Sequence, residues 1–268
     1  MSEMMRNPPI FYTAAQVRFN PVLDMEDSIS HVQKVWRQRF PDFSHQPLSQ
    51  IQMQVPSAGE APSVKVNSIA RWHFKNIDQT SALILANDSL IFHTTQYSTS
   101  VDFIDTLVDA LKVVDEVVSL SYVEAVGFRT LDAVIPTAGK GVDFYLRSGL
   151  LGLSASLDGI LKHSVYEMVM LHSHAQLASR CIMLNGKLGV PADLYPIMLK
   201  FKDEVNMIDG PHAVLDNDAT QLERFAFNIE DVAKRLRMVK SLISDAFYQS
   251  VTSEALLEWN NSDHVHAD

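Results

Sequence analysis

Four charged residues in two short segments are the strongest candidates for a binding site in this sequence. Asp216 and Asp218 stand two positions apart, so on a β-strand both carboxylates point to one face, a spacing suited to a divalent cation or to acid–base chemistry. Arg129 and Asp132 lie in an apolar, β-rich segment, where a charged side chain is expected to be buried and therefore paired. The simpler interpretation is structural: a strand end for the two aspartates and an ion-pair network around Arg129.

Two histidines could begin a metal site. On a strand His172 and His174 would share a face and offer two imidazole ligands. The residues that could complete such a site are His163, Asp193 and His212. Because two ligands do not define a metal site, we predict polar strand positions here and no bound metal. A second cluster, His264, His266 and Asp268, ends the chain in a polar tail, which is typical of adventitious metal capture.

The common catalytic motifs are incomplete in this sequence. The segment GLSAS around Ser154 lacks the second glycine of a nucleophile elbow. Lys140 lies between two glycines, but the longer spacing of a phosphate-binding loop and the hydroxyl residue after its lysine are missing. We therefore predict no catalytic residue and no cofactor.

Composition and charge restrict the class of partner. The chain has 268 residues, of which 47% are hydrophobic and 20% are charged, as is typical of a globular protein with a sizeable core. Its formal net charge of −10 argues against general nucleic-acid binding, because contacts to the phosphate backbone depend on clustered Lys and Arg. The acidic excess favours solubility and also suits a basic partner.

The sequence predicts a cytoplasmic location. Residues 1–9 contain no apolar run of the kind found in a signal peptide, and no stretch of 18 consecutive apolar residues occurs, so no membrane contact is expected. The single cysteine, Cys181, can form no internal disulfide and stands in an apolar run, which predicts a buried thiol.

The segments that would position the candidate residues alternate between strands and long helices. In the first half, β-rich or alternating patterns predict strands at 10–19, 47–55, 69–75, 81–86, 89–94 and 122–135. Apolar residues at helical spacing predict a helix from Asp24 to Phe40 and a longer one that begins at Ser98, Thr99 or Ser100.

The second half repeats this order of elements. Its apolar segments predict strands at 149–157, 166–174, 176–184 and 212–219, although periodicity leaves a helix open across part of this region. Asn185 and Gly186 predict a turn, and Asn228 is expected to cap a long helix. The predicted fold is α+β with two lobes, residues 1–140 and 141–268, each a mainly antiparallel β-sheet packed against a long amphipathic helix.

A series of short motifs, in the same order along the chain, resembles a protein family. The motifs are Asn7-Pro8-Pro9-Ile10, Val17-Arg18-Phe19 with Pro21, Trp72 with Phe74, Tyr97 with Phe103, Gly127-Phe128-Arg129 with Asp132, and Leu215-Asp216-Asn217-Asp218. Together they resemble a sporadically distributed bacterial family of unknown function, which has a Gly-Leu-Arg-Tyr-x-Asn segment and a late Asp-x-Asp strand. Ser100, Thr130 and Asp132 stand where that family often has Trp, Tyr and Asn. The resemblance implies no established activity, and a sporadic distribution implies an accessory gene, such as one in phage defence or a toxin–antitoxin pair.

Two functions agree with these observations. The first is a non-catalytic protein-binding or regulatory protein that uses a sheet edge or a cleft between lobes, which agrees with the incomplete catalytic motifs. The alternative is a small-ligand-binding protein or an enzyme with a pocket between sheet and helix, in which the ligand-binding residues are Arg129, Asp132, Asp216 and Asp218. We predict a protein partner, and the sequence leaves a homo-oligomer open.

Overall fold

A computed structural model describes residues 5–54 and 63–261 as a mixed α/β structure with a large antiparallel sheet. The terminal cluster of His264, His266 and Asp268 and the end of the strand predicted at 47–55 lie outside the described residues. None of the helices in the described ranges combines the length and the apolar character that crossing a membrane would need.

The described residues form twelve strands and seven helices. The strands are β1 (Ile10–Phe19), β2 (Asp42–His45), β3 (Leu48–Gln54), β4 (Ser63–Ile69), β5 (Arg71–Lys75), β6 (Ser81–Ala86), β7 (Ser89–Thr94), β8 (Tyr122–Val134), β9 (His163–Leu171), β10 (Gln176–Lys187), β11 (Asp209–Gln221) and β12 (Phe225–Ala226). The helices are α1 (Met25–Trp36), α2 (Ser100–Val118), α3 (Val142–Tyr145), α4 (Ser148–Leu151), α5 (Asp203–Asn206), α6 (Ile229–Ser250) and α7 (Ser253–Asn260).

One sheet joins both halves of the chain. Its strand order is β2-β5-β6-β7-β1-β8-β11-β10-β9, with β12 beside β8, and all its pairs are antiparallel. The prediction of two separate sheets is therefore wrong, because β8 from the first half pairs along its length with β11 from the second. The domain boundary near residue 140 stays a prediction. Strands β3 and β4 form a separate hairpin.

Three helices cover one face of the sheet. Helix α1 packs on α2 and α2 on α6, and their buried apolar side chains share one core with the sheet. Helix α2 begins where the sequence predicts, because the Thr99 side chain accepts a hydrogen bond from the Asp102 amide. Asn228 likewise accepts from the amides of Glu230 and Asp231 at the start of α6. We call this side of the sheet the helix face.

The opposite face is covered by the irregular segment 188–208, which contains α5. A smaller core on this side joins Phe11, Leu131 and Val214 of the sheet to Ile208 and to the partly buried Phe201. We call it the loop face. The sheet centre is therefore covered on both sides, so polar groups there need partners within the protein.

Several local predictions in the second half are wrong. The strand predicted at 149–157 is instead the end of α4 followed by a 3₁₀ turn, Gly152–Ala155. Asn185 and Gly186 do not form a turn but continue β10, opposite Pro211 and Gly210 of β11. At Asn185 and Gly186, tertiary pairing outweighs the local preference of the residues.

Candidate functional site

All four predicted site residues lie on two neighbouring strands, β8 and β11, but Asp132 does not meet the other three. The register places Arg129 opposite Asp218 and Leu131 opposite Asp216. Because side chains alternate along a strand, Arg129, Asp216 and Asp218 point to the loop face, while Asp132 points to the helix face. The structure thus separates Asp132 from Arg129, and the two residues form two different sites.

On the loop face, Arg129 is the centre of an ion-pair network. Its Nε and Nη2 donate to the two carboxylate oxygens of Asp216 at 2.7 and 2.8 Å, and Nη1 and Nη2 donate to Asp193 at 2.5 and 3.2 Å. Asp216 is fully buried and also accepts from Arg180 Nη1 at 3.2 Å. The prediction that Arg129 is buried and paired with a carboxylate is confirmed, since only 7% of this residue is exposed.

This network is more structural than ligand-binding in character. Burial opposes the charge of Arg129, but the hydrogen bonds to Asp216 and Asp193 outweigh burial and raise the pKa of the guanidinium. Four hydrogen bonds use most of the five N–H groups that an arginine has. Arg129 therefore connects the sheet to the segment that carries Asp193, and little of its donor capacity is left for a ligand.

A cleft of about 590 Å³ lies beside this network, between the loop face and residues 193–198; we call it the Arg129 cleft. The small residues Ala14 and Gly127 line it, and a Cβ atom at Gly127 would lie 3.3 Å from Thr220 Oγ1. In the wall, the Tyr12 hydroxyl and His93 Nδ1 are 3.2 Å apart.

Burial keeps two polar side chains in the wall of the Arg129 cleft, His93 and Tyr12, uncharged. Burial, helped by His73 and Lys75, lowers the pKa of His93 to about 3, so its imidazole is neutral at pH 7. Burial also raises the pKa of Tyr12, and it raises the pKa of Asp218 although Arg129 opposes this. The cleft therefore offers neutral donors and acceptors in addition to the Asp218 carboxyl.

On the helix face, Asp132 lies in a second pocket of about 310 Å³, which we call the Asp132 pocket. Its lining comprises Met5, Pro8, Pro9, Ile10, Tyr97, Ser98, Thr99, Ser100, Thr130, Asp132, Lys240, Ile243, Ser244, Phe247 and Tyr248. The start of β1, the end of β8, the first turn of α2 and the middle of α6 supply its walls. This is a pocket between sheet and helix, the location that the sequence predicts for a small-ligand site.

Asp132 and Lys240 are the charged groups of this pocket. Asp132 is only 5% exposed, and burial raises the pKa of its carboxyl to about 7, although Lys240 and the Thr130 hydroxyl at 3.4 Å oppose the rise. Burial also lowers the pKa of Lys240, although the negative charges of Asp132 and Asp245 act to raise it. Both side chains therefore lie nearer to their neutral forms than exposed residues would.

A row of polar side chains crosses the sheet next to this pocket. Directly paired positions on six neighbouring strands hold Ser81, Thr94, Thr13, Thr130, Asn217 and Ser179. The hydroxyls of Ser81 and Thr94 are 2.7 Å apart, and Ser179 donates to Asn217 Oδ1 at 2.7 Å. Thr13 Oγ1 and Asn217 Nδ2 are buried without a hydrogen-bond partner among the described residues, which is unusual for a sheet centre.

Two contributors to these sites were missed in the sequence. Asp193 was considered only as a metal ligand, and nothing local indicates that it reaches Arg129, which lies 64 residues away. Lys240 could have been found, because it stands four residues after Leu236 and three before Ile243, on the buried stripe of α6.

The predicted histidine pair does not lie on a strand. β9 ends at Leu171, so His172 and His174 belong to its connection with β10, and His174 lies 4.0 Å from Glu223. The described ranges contain no group of three or more His, Cys, Asp or Glu residues arranged to hold a metal ion. Cys181 is buried as predicted, and burial raises the pKa of its thiol to about 12.

Comparison with known proteins leaves the function open. No protein-family model and no curated protein matches this chain. The family resemblance of the short motifs therefore stays a prediction.

Proposed function

We propose that this chain is a non-catalytic protein-binding or regulatory protein that binds a partner by strand addition at β9. One observation carries the proposal: β9 is a nine-residue edge strand, and within the described residues only β10 pairs with it. An unpaired strand edge presents a row of free backbone N–H and C=O groups to another extended chain.

The side chains of β9 favour such a partner. Val165, Val169 and Leu171 point to the loop face and Tyr166 and Met170 to the helix face, and these five are between 42% and 82% exposed. Proteins commonly protect an edge with lysine, proline or a very short strand. β9 uses none of these devices.

The charge on β9 is already balanced within the protein. Glu167, its single acidic residue, accepts from Arg180 Nε at 2.6 Å, so an incoming strand would meet little net charge there. The opposite edge of the sheet is different, because β2 has only four residues, Asp42–His45. This contrast favours β9 as the binding edge.

The net charge of −10 suits a partner whose strand is apolar and whose surroundings are basic. The family resemblance suggests which protein this partner is. It favours an effector encoded beside this gene, for example a toxin or a component of a phage-defence system. A second copy of the chain would be the other candidate, with a homo-oligomer as the product.

The test compares two double variants in affinity capture from the native host at modest salt. Val165→Lys with Val169→Lys adds two charges to the edge and should abolish recovery of a stoichiometric partner. Leu23→Lys with Ile77→Lys, at two highly exposed apolar positions outside the sheet, is the matched control and should retain the partner.

Hydrogen exchange then locates the contact. The amides of residues 163–171 should become protected when the purified partner is added, because strand addition pairs their free N–H groups. Capture that is equal for both double variants, or protection confined to another part of the sheet, would refute binding at β9.

A further inference from the structure

Asp132 and Lys240 bring opposite charges into one pocket without pairing. The one hydrogen bond to the Asp132 carboxylate within the described structure comes from Thr130 at 3.4 Å, and Lys240 Nζ donates to Ser244 Oγ at 2.5 Å. The ion pairs within 4.0 Å in the described residues include neither of them. A desolvated charge with so few partners is costly, so both groups have unused capacity to bind an opposite charge.

The walls of the pocket limit the size and polarity of an occupant. Its volume of about 310 Å³ lies at the small end of the range for ligand pockets. Pro9, Ile10 and Phe247 supply apolar surface, while Asp132 of β8 and Lys240 of α6 supply the two charges. An occupant that satisfies all of these groups is small, has an apolar body and carries one cationic and one anionic group.

We propose that the Asp132 pocket binds a free aliphatic α-amino acid or a zwitterion of similar size, with its ammonium group on Asp132 and its carboxylate on Lys240. A ligand with only a carboxylate would leave the charge of Asp132 uncompensated. A ligand with only an amine would leave the charge of Lys240 uncompensated. The hydroxyls of Thr130 and Ser244 lie beside the two charges and can complete their hydrogen bonding.

The electrostatics of the pocket support this assignment. Burial is the main cause of both the raised pKa of Asp132 and the lowered pKa of Lys240. An ammonium beside Asp132 would lower its pKa again, and a carboxylate beside Lys240 would raise that of the lysine. A zwitterion therefore relieves both costs at once.

Calorimetric titration with L-leucine and its two half-molecules tests the charge requirement. L-leucine should bind saturably, whereas 4-methylpentanoate, which lacks the ammonium, and 3-methylbutylamine, which lacks the carboxylate, should each bind at least about tenfold more weakly. The proposal is wrong if L-valine, L-leucine and L-methionine all fail to bind, or if either half-molecule binds as tightly as L-leucine.

Variants test the location. Asp132→Asn and Lys240→Gln should each weaken L-leucine binding at least about tenfold, while Asp218→Asn, on the other face of the sheet, should leave it unchanged. If Asp132→Asn does not fold, Lys240→Gln decides. Undiminished binding in Lys240→Gln, or a loss in Asp218→Asn, would overturn the assignment. Because β10 and β11 separate β8 from β9, these variants should retain partner capture, and the two proposals can fail separately.

Discussion

Arg129 and Asp132 are three residues apart on β8 and nearly equally buried, yet their surroundings differ in kind. On the loop face, Arg129 makes four hydrogen bonds to two carboxylates. On the helix face, the described residues give Asp132 one long hydrogen bond, and Lys240 in the same pocket forms no ion pair with them. Burial of a charge therefore does not by itself mark a functional residue, and a buried charge with unmet bonding capacity is the stronger candidate for one.

Asp216 and Asp132 also differ in what they contribute to the fold. Asp216 completes a network that holds the sheet and the Asp193 segment together. Among the described residues, the hydrogen bond to Asp132 comes from Thr130 of its own strand, so it joins no second element to the sheet. The expected consequences of substitution follow from this difference.

Removing the Arg129 side chain should have the largest effect. Arg129→Ala leaves the fully buried Asp216 with Arg180 as its one remaining cation among the described residues, and breaking a buried pair in this way costs ~3 to 5 kcal/mol of unfolding free energy. Urea denaturation measures the loss. The control is Arg224→Ala, which breaks an exposed pair with Glu124 and should cost at most ~1 kcal/mol. An Arg129→Ala protein as stable as this control would remove the distinction between the two faces.

Asp132 should make stability depend on pH. Its carboxyl has a pKa of about 7 in the folded protein against 3.8 ordinarily, so between these values the folded state holds a proton that the unfolded state has lost. Unfolding free energy should therefore fall as pH rises from about 4 to about 7, by up to about 1.4 kcal/mol per pH unit for this group.

Asp132→Asn isolates this contribution. The variant should lack the fall in stability over that pH range, and denaturation at several pH values compares it with the wild type. Lys240, Tyr97 and Tyr248 are the other titratable side chains lining the pocket. Because the pKa of Lys240 is lowered in the folded protein, its own contribution has the opposite sign and makes stability rise with pH above that lowered pKa. Identical slopes for the two proteins would contradict burial of an unpaired carboxyl.

The smallest effect is expected at Asp193. The Asp193 side chain is 64% exposed, and Asp193→Asn leaves Arg129 paired with Asp216. The substitution should therefore cost no more than ~1 kcal/mol of unfolding free energy. Hydrogen exchange should nevertheless become faster in segment 188–208, because the link from this segment to the sheet is weakened. A loss of stability as large as that of Arg129→Ala would show that Asp193, rather than Asp216, is the essential partner.

Much of the local structure follows from the sequence. The bounds of β1 agree with its aromatic and β-branched pattern, and Asn228 and Thr99 cap the two longest helices as their side chains predict. The segment 149–157 was assigned wrongly, since a short apolar run suits a strand and a buried helix equally well.

The sequence by itself determined that Arg129 would be buried and paired, and that Asp216 and Asp218 would share a face. It also contained the separation of Arg129 from Asp132, because an odd spacing on a strand places side chains on opposite faces. Only the tertiary structure decided which groups lie beside Arg129 and Asp132. The β8–β11 register brings Asp216 to Arg129, segment 188–208 brings Asp193, and α6 brings Lys240 to Asp132. These neighbours lie 64 to 108 positions apart along the chain, and no local preference of either segment specifies which of them meet.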